Sequence, residues 1–233
     1  MRTREYLERL AKSGRSISLV TGRPHEEACA LMERNGILAS AGYPQYMICE
    51  ERDIYTLTAG RYEPWEPHNS QLFAEEQALL PEANRIAGML AEEYKLKFFV
   101  SNLVYQEKRG FVELIFPNRD AARHGLEKAA ELAEKVGLKA VRNNAGLTFR
   151  HKQVGKLPAL RELIDFLGAT PREVLVMGDS HNDLDMLTAG FRSATTANAD
   201  AEIKAAVLNA GGYVSAACAS DGVAEVLARL VQF

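Results

Sequence analysis

The sequence predicts an α/β protein: a doubly wound core of alternating strands and helices, interrupted by an inserted α+β domain. Three observations carry this reading. Short apolar runs at residues 17–20 and 174–177 have the length of strands buried on both faces, and each leads through a polar turn into an amphipathic stretch. Residues 71–150 instead run helix, hairpin, helix, hairpin, an αββαββ order that suits one open sheet. The proline-rich segment RYEPWEPHNS, residues 61–70, stands where the pattern changes and reads as a linker.

Taken in order, residues 3–12 form a helix, with Thr3 as its N-cap and Tyr6, Leu7 and Leu10 on one face. A strand over 16–21 and a helix over 24–35, ended by Gly36, come next. Residues 46–57 alternate as one or two strands. Past the linker, 71–94 is helical and 97–116 is a hairpin turning near Lys108-Arg109-Gly110. Residues 119–136 are helical, and 138–150 is a second hairpin turning at Asn144-Ala145-Gly146. The core pattern resumes near Gln153. The domains expected are therefore a core of residues 1–65 and 151–233 and an insert of residues 66–150.

Composition narrows the function classes. At 233 residues, 47% hydrophobic and 25% charged, the chain is long enough for a substantial core. A net charge of −3 gives no reason to expect nucleic acid as a partner. No run approaches the ~20 apolar residues of a membrane helix, and no signal peptide is visible, so the expected location is cytoplasmic. Cys29, Cys49 and Cys218 are odd in number and follow no metal spacing, and they read as reduced, buried thiols. The five histidines form no ligand spacing either.

The chemistry concentrates in VLVMGDSHNDLDML, residues 174–187. Gly178 lets the backbone turn at the end of a strand, and Asp179, Ser180, Asn182 and Asp183 follow within five positions. Carboxylates at the carboxyl end of a parallel strand lie where open α/β sheets bind ligands, and a pair of hard oxygen ligands there suits magnesium next to a phosphate. Asp179 is read as a metal ligand. Asp183 is read as a second ligand or as the partner of a lysine, and Asn182 as an amide that bonds a ligand or loop. A second strand end, ISLVTGRP, offers the Thr21 hydroxyl and the Gly22 N–H to a phosphate oxygen. Arg23 beside them faces the substrate or pairs with a surface acid. Lys156 opens a helix 23 residues (179 − 156) before Asp179, room for one helix, a loop and a strand. A hydroxyl, an ammonium and an acid pair are the groups needed to hold a phosphoryl group and neutralise its charge.

The T-G-R after a strand, the lysine opening a helix and the G-D-S-x-N-D after the next strand resemble motifs two, three and four of the haloacid dehalogenase superfamily. The tail NADAEIKAAVLNAGGYVSAACASDGVAEVL is similar to the end of its sugar-phosphatase-like members. The resemblance implies a Rossmann-like core, an αββαββ cap that covers the site and selects the substrate, magnesium as cofactor, and a small phosphorylated metabolite of the sugar-phosphate kind as partner. Lys95, Lys97, Lys108, Arg109, Arg119, Arg123 and Arg142 make the insert locally basic, which would suit an anionic substrate or simply clothe a solvated surface.

The first motif of that superfamily, an aspartate nucleophile followed two residues later by a second aspartate acting as general acid and base, is absent from the start of this sequence. Asp183-Leu184-Asp185 has the spacing but lies within motif four, where Asp183 is already assigned. In the family the strand bearing that motif lies between the strands ending at Thr21 and Asp179, so without it two apolar edges would be left open. A longer natural N-terminus is the expectation. The function expected is a magnesium-dependent phosphatase that works through an aspartyl-phosphate in the complete protein, with these residues alone inactive. The alternative is a non-catalytic phosphometabolite-binding or regulatory protein. A nucleotide-binding domain is a poorer fit because no glycine-rich phosphate loop is present.

Overall fold

The computed structural model describes residues 2–100, 104–105, 108–109 and 111–231. Its elements are α1 (Arg2–Lys12), β1 (Ser18–Val20), α2 (His25–Arg34), β2 (Tyr46–Cys49), β3 (Asp53–Thr58), β4 (Arg61–Pro64), α3 (His68–Ala78) and α4 (Leu80–Tyr94). They continue with β5 (Lys97–Val100), β6 (Val104–Tyr105), β7 (Lys108–Arg109), β8 (Val112–Ile115), α5 (Arg119–Glu134), β9 (Leu138–Asn143) and β10 (Gly146–His151). The chain ends with α6 (Lys156–Leu167), β11 (Leu175–Met177), α7 (Leu184–Leu187), β12 (Arg192–Thr195), α8 (Ala201–Asn209), β13 (Tyr213–Val214) and α9 (Ala219–Leu230). Two compact units result, residues 1–65 with 155–233, and residues 66–154.

The first unit is α/β, but its strands form two sheets. One runs β1-β2-β3-β4, with β1 and β2 parallel and the remaining pairs antiparallel; the other is the parallel set β11-β12-β13. Both β1 and β11 are end strands. All three residues of β1 are only half-buried, less than a strand covered on both faces would be. What joins the two sheets is side-chain packing. Helix α6 buries Ala159, Leu160, Leu163 and Ile164 in one cluster with Ile48 and Ile54 from the first sheet and Val176 from the second.

Several expectations need correction. Residues 61–64 are not linker but the edge strand β4, registered against β3 from Tyr55↔Pro64 to Thr58↔Arg61. A proline is tolerated there because an edge strand has one side on which no N–H is needed. Thr3 lies inside α1 rather than capping it, and its hydroxyl donates to the Ser220 carbonyl of α9. The stretch 71–94 is two helices broken at Leu79, because Pro81 suits the first turn of a helix and not its interior. Cys49 is buried and Cys29 half-buried, but Cys218 is exposed.

The second unit is one antiparallel sheet in the order β5-β8-β10-β9, with a small β6-β7 ladder. Helices α4 and α5 close its core: Ile86, Leu90, Val112, Leu114, Ala129 and Leu147 have no exposed surface. Lys108 and Arg109, expected in the first hairpin's turn, instead pair with Tyr105 and Val104 in the β6-β7 ladder, and Gly110 lies outside the described residues. Lys108 and Arg109 are therefore strand positions. The second hairpin turns through Asn144 and Ala145, where Asn144 adopts a left-handed φ of 58° that its short amide side chain tolerates. No described helix is long and apolar enough to cross a membrane.

Candidate functional site

The polar residues singled out from the sequence meet at the carboxyl ends of β1, β2 and β11, all within the first unit. Beyond β1 the chain bends through Thr21, whose N–H donates to the Ile48 carbonyl at 2.8 Å. Its hydroxyl oxygen accepts the Arg23 N–H at 3.1 Å, a local turn that leaves the hydroxyl proton free to be given elsewhere. The Arg23 guanidinium pairs with Glu27 one turn along α2, both side chains about half exposed. It thus takes the surface-acid option of its two readings.

Lys156 begins α6 and is 6% exposed, with its ammonium 2.5 Å from Asp183 Oδ1. Gly155 precedes it with φ 154° and ψ 161°, a backbone state open to glycine alone, so the chain can turn into the helix while the Gly155 N–H donates to the Glu51 carbonyl at 2.8 Å. A buried ammonium without a partner would be costly, and the Asp183 carboxylate supplies that partner.

Asp183 is 4% exposed and both of its oxygens are engaged. Oδ1 takes Lys156, while Oδ2 accepts the Asp179 N–H, the Ser180 N–H and the Ser180 hydroxyl, each at 3.0 Å. The aspartate therefore folds the 179–183 loop around itself. Gly178, at the turn that ends the strand, also serves this closure, since an added Cβ would sit 2.4 Å from Asp183 Cβ and Cγ. Asn182 is engaged as well: its Oδ1 lies 2.6 Å from Ser180 Oγ and shares that hydroxyl's single proton with Asp183 Oδ2, and its Nδ2 donates to Glu51 Oε1 at 2.8 Å. In contrast, the exposed Asp179 carboxylate has no hydrogen-bond or ion-pair partner among the described residues. His181 leans away, with Nε2 2.9 Å from Glu202.

The residues that sequence reasoning missed are in the turn between β2 and β3. Glu50 and Glu51 both have left-handed backbones, φ 52° and 58°, which disfavour side chains other than glycine, asparagine and aspartate. Arg52, 1% exposed, forks onto Asp53 through Nε at 2.7 Å and Nη2 at 2.8 Å, and Nη2 also reaches Glu50 at 2.9 Å. The run of four charges Glu50-Glu51-Arg52-Asp53 between two apolar strands was a signal available in the sequence, but nothing in it distinguishes a buried network from a solvated turn. In the tail, Asn198 accepts the Ala219 N–H at 2.6 Å and Lys204 donates to the Ala197 carbonyl at 3.1 Å, so these groups brace the loop after β12.

Among the described residues no group of three or more histidine, cysteine, aspartate or glutamate side chains is placed to hold a metal ion. One open carboxylate, Asp179, still fits magnesium, which binds through one or two protein carboxylates and completes its shell with water and phosphate oxygens. Hydroxyl, ammonium, backbone N–H groups and an open carboxylate together can orient an anionic tetrahedral group and offset its charge.

The family model for haloacid dehalogenase-like hydrolases matches residues 66–227. A phosphoglycolate phosphatase from Methanothermobacter thermautotrophicus is 38% identical over 79 residues, 34% of each chain. One from Methanosarcina acetivorans is 30% identical over 104 residues, 44% of each chain. The match thus spans between about a third and just under a half of these relatives' own length. Among solved structures, the sucrose-phosphatase of Synechocystis, determined with sucrose and phosphate, superposes with a TM-score of 0.73 at 19% identity over 97% of this chain and 90% of that one. A haloacid dehalogenase-like hydrolase from B. subtilis gives 0.70 at 16% identity over 99% and 93%. These two likenesses establish the shared fold.

Proposed function

We propose, from the premise that this chain belongs to the haloacid dehalogenase-like hydrolase family, that its core unit is the phosphate- and metal-binding part of a phosphatase of small phosphorylated metabolites. The observation that carries the reading is the convergence of Thr21, Gly22 and the buried Lys156–Asp183 pair with the open Asp179 carboxylate at one end of the two sheets.

Thr21 donates its hydroxyl proton and Gly22 its N–H to one phosphate oxygen, and the Lys156 ammonium, held by Asp183, faces the phosphoryl charge. Asp179 is the carboxylate for magnesium, whose charge, when bound, neutralises the phosphoryl oxygens further. Asp183 acts in this scheme through Lys156 and Asn182 through Glu51, while Arg23 takes part through its backbone. The insert of residues 66–154 serves as the cap that selects the substrate.

The family resemblance assigns bond breaking to an aspartate of a D-x-D pair not found at the corresponding place in this sequence. That carboxylate would attack phosphorus, the P–O ester bond would break with protonation of the leaving alcohol, and water would then cleave the aspartyl-phosphate to release phosphate. Residues 1–233 alone are accordingly inactive.

Phosphatase activity with magnesium, measured on phosphoglycolate and a panel of sugar phosphates, tests this for the chain and for a version extended upstream to the preceding in-frame start. Activity confined to the extended form supports the proposal. Turnover by the unextended chain clearly above that of an Asp179→Asn variant would overturn its inactivity, and no activity in either form would favour a phosphometabolite-binding protein.

A further inference from the structure

We infer that Glu51 is the positioning residue that assembles this phosphate site, an inference that rests on the phosphatase reading above. The segments carrying the site have no common sheet: the Thr21–Arg23 loop follows β1 in one, and the Asp179–Asp183 loop follows β11 in the other. Glu51 touches every one of them. Its N–H donates to the Thr21 carbonyl at 3.1 Å, and its own carbonyl accepts the Gly155 N–H beside Lys156 at 2.8 Å. Its Oε1 accepts the Asn182 amide at 2.8 Å and lies 3.5 Å from the point where a Cβ on Gly22 would stand.

The backbone makes the case sharper. Glutamate at φ 58°, directly after another glutamate at 52°, sits where glycine would cost nothing. Backbone hydrogen bonds to Thr21 and Gly155 would survive a glycine, so they do not account for the side chain. What the carboxylate adds is the tie to Asn182. Through Asn182 and Ser180 that tie reaches the loop that Asp183 closes. Behind the turn, the buried fork of Arg52 onto Asp53 and Glu50 fixes the direction in which Glu51 leaves the chain. The result is a rigid strut between the phosphate-binding loop and the acidic loop, set by one side chain.

Calorimetric titration of the whole chain with inorganic phosphate in the presence of magnesium, paired with thermal unfolding, tests the inference. Glu51→Gly and Glu51→Asn both suit the left-handed backbone, and neither reaches Asn182. Both are expected to keep or raise Tm while weakening phosphate binding about tenfold, the worth of one lost hydrogen bond to a charged group. Glu51→Gln, which keeps an acceptor at Oε1, is expected to restore most of the affinity.

Wild-type affinity in both the Gly and Asn variants overturns the positioning role. So does a loss of affinity that merely follows a fall in Tm, since that would make Glu51 an ordinary brace. Lys156→Ala separates this from the underlying reading: weaker phosphate binding in that variant keeps the phosphate site even if Glu51 proves idle. A wild-type chain that binds no phosphate, or binds it as Lys156→Ala does, removes the site and the role of Glu51 together.

Discussion

The two units bury charge in different ways. In residues 66–154 one sheet and two helices enclose a continuous apolar core, and a buried ion pair, Arg150–Glu76, joins β10 to α3 with the Arg150 guanidinium also 4.5 Å from the Phe111 ring. In the other unit the apolar core is divided between two clusters, and buried charges gather at the strand ends as Lys156–Asp183 and Arg52 with Glu50 and Asp53. The same interaction closes a fold in one place and holds loops in place around a site in the other. Burial of charge alone therefore does not mark function; what matters is whether the pair sits beside unengaged polar groups.

The largest expected effects test that contrast directly. Lys156→Met removes the ammonium paired with the buried Asp183, and Arg150→Met removes the guanidinium paired with the buried Glu76; each should cost about 3–5 kcal/mol in chemical denaturation. Only the first should abolish magnesium-dependent phosphate binding by the protein that remains folded. Equal loss of binding in both would erase the distinction between the units. Next, Leu114→Ala, at a site with no exposed surface in the insert's core, should cost about 2–5 kcal/mol and leave phosphate affinity unchanged, read by the same pair of measurements. Asp179→Asn should leave Tm close to that of the wild type, because the carboxylate has no partner to lose, while weakening magnesium binding in titration calorimetry.

Two pH effects are smaller and opposite in sign. His25, stacked on Tyr55 at 4.2 Å, is held below the usual histidine range, chiefly by burial. The unfolded chain then takes up its proton first, so stability should fall as pH drops below ~6.5, and His25→Gln should flatten that slope. Glu113 is pushed above the usual carboxylate range by burial. Its ionisation opposes folding as pH rises through the folded-state value, so Glu113→Gln should raise Tm at neutral pH with the difference vanishing below pH ~4.5. Thermal melts across pH 4–8 check both.

Much of the architecture was legible because strand and helix periods are local. The αββαββ order of the insert and the meeting of Thr21, Lys156 and the 179–183 loop could be read from spacing and resemblance. The double role of Asp183 as lysine partner and loop clasp was only half legible, since the three N–H and O–H donors on its Oδ2 depend on a backbone course that no propensity encodes. β4 was hidden because prolines that signal a linker are equally at home on a sheet edge. Glu51 was hidden more deeply: a left-handed glutamate is a poor guess anywhere, and its partner Asn182 is 131 residues away in sequence.

The two end strands also set a pattern in time. Along β1 the odd-numbered residues face β2, as the hydrogen bonds of Ile17 and Thr21 show, so the amides of Ser18 and Val20 point away from it. Along β11 the Val174 carbonyl faces β12, so Leu175 and Met177 turn their amides to the open side. In deuterated water these strands should therefore exchange in alternation, fast at Ser18, Val20, Leu175 and Met177 and slow at Leu19 and Val176. A segment that paired with either open edge would slow the fast amides of that strand and leave the slow ones as they were, making four amide clocks a direct reporter of whether those edges are filled.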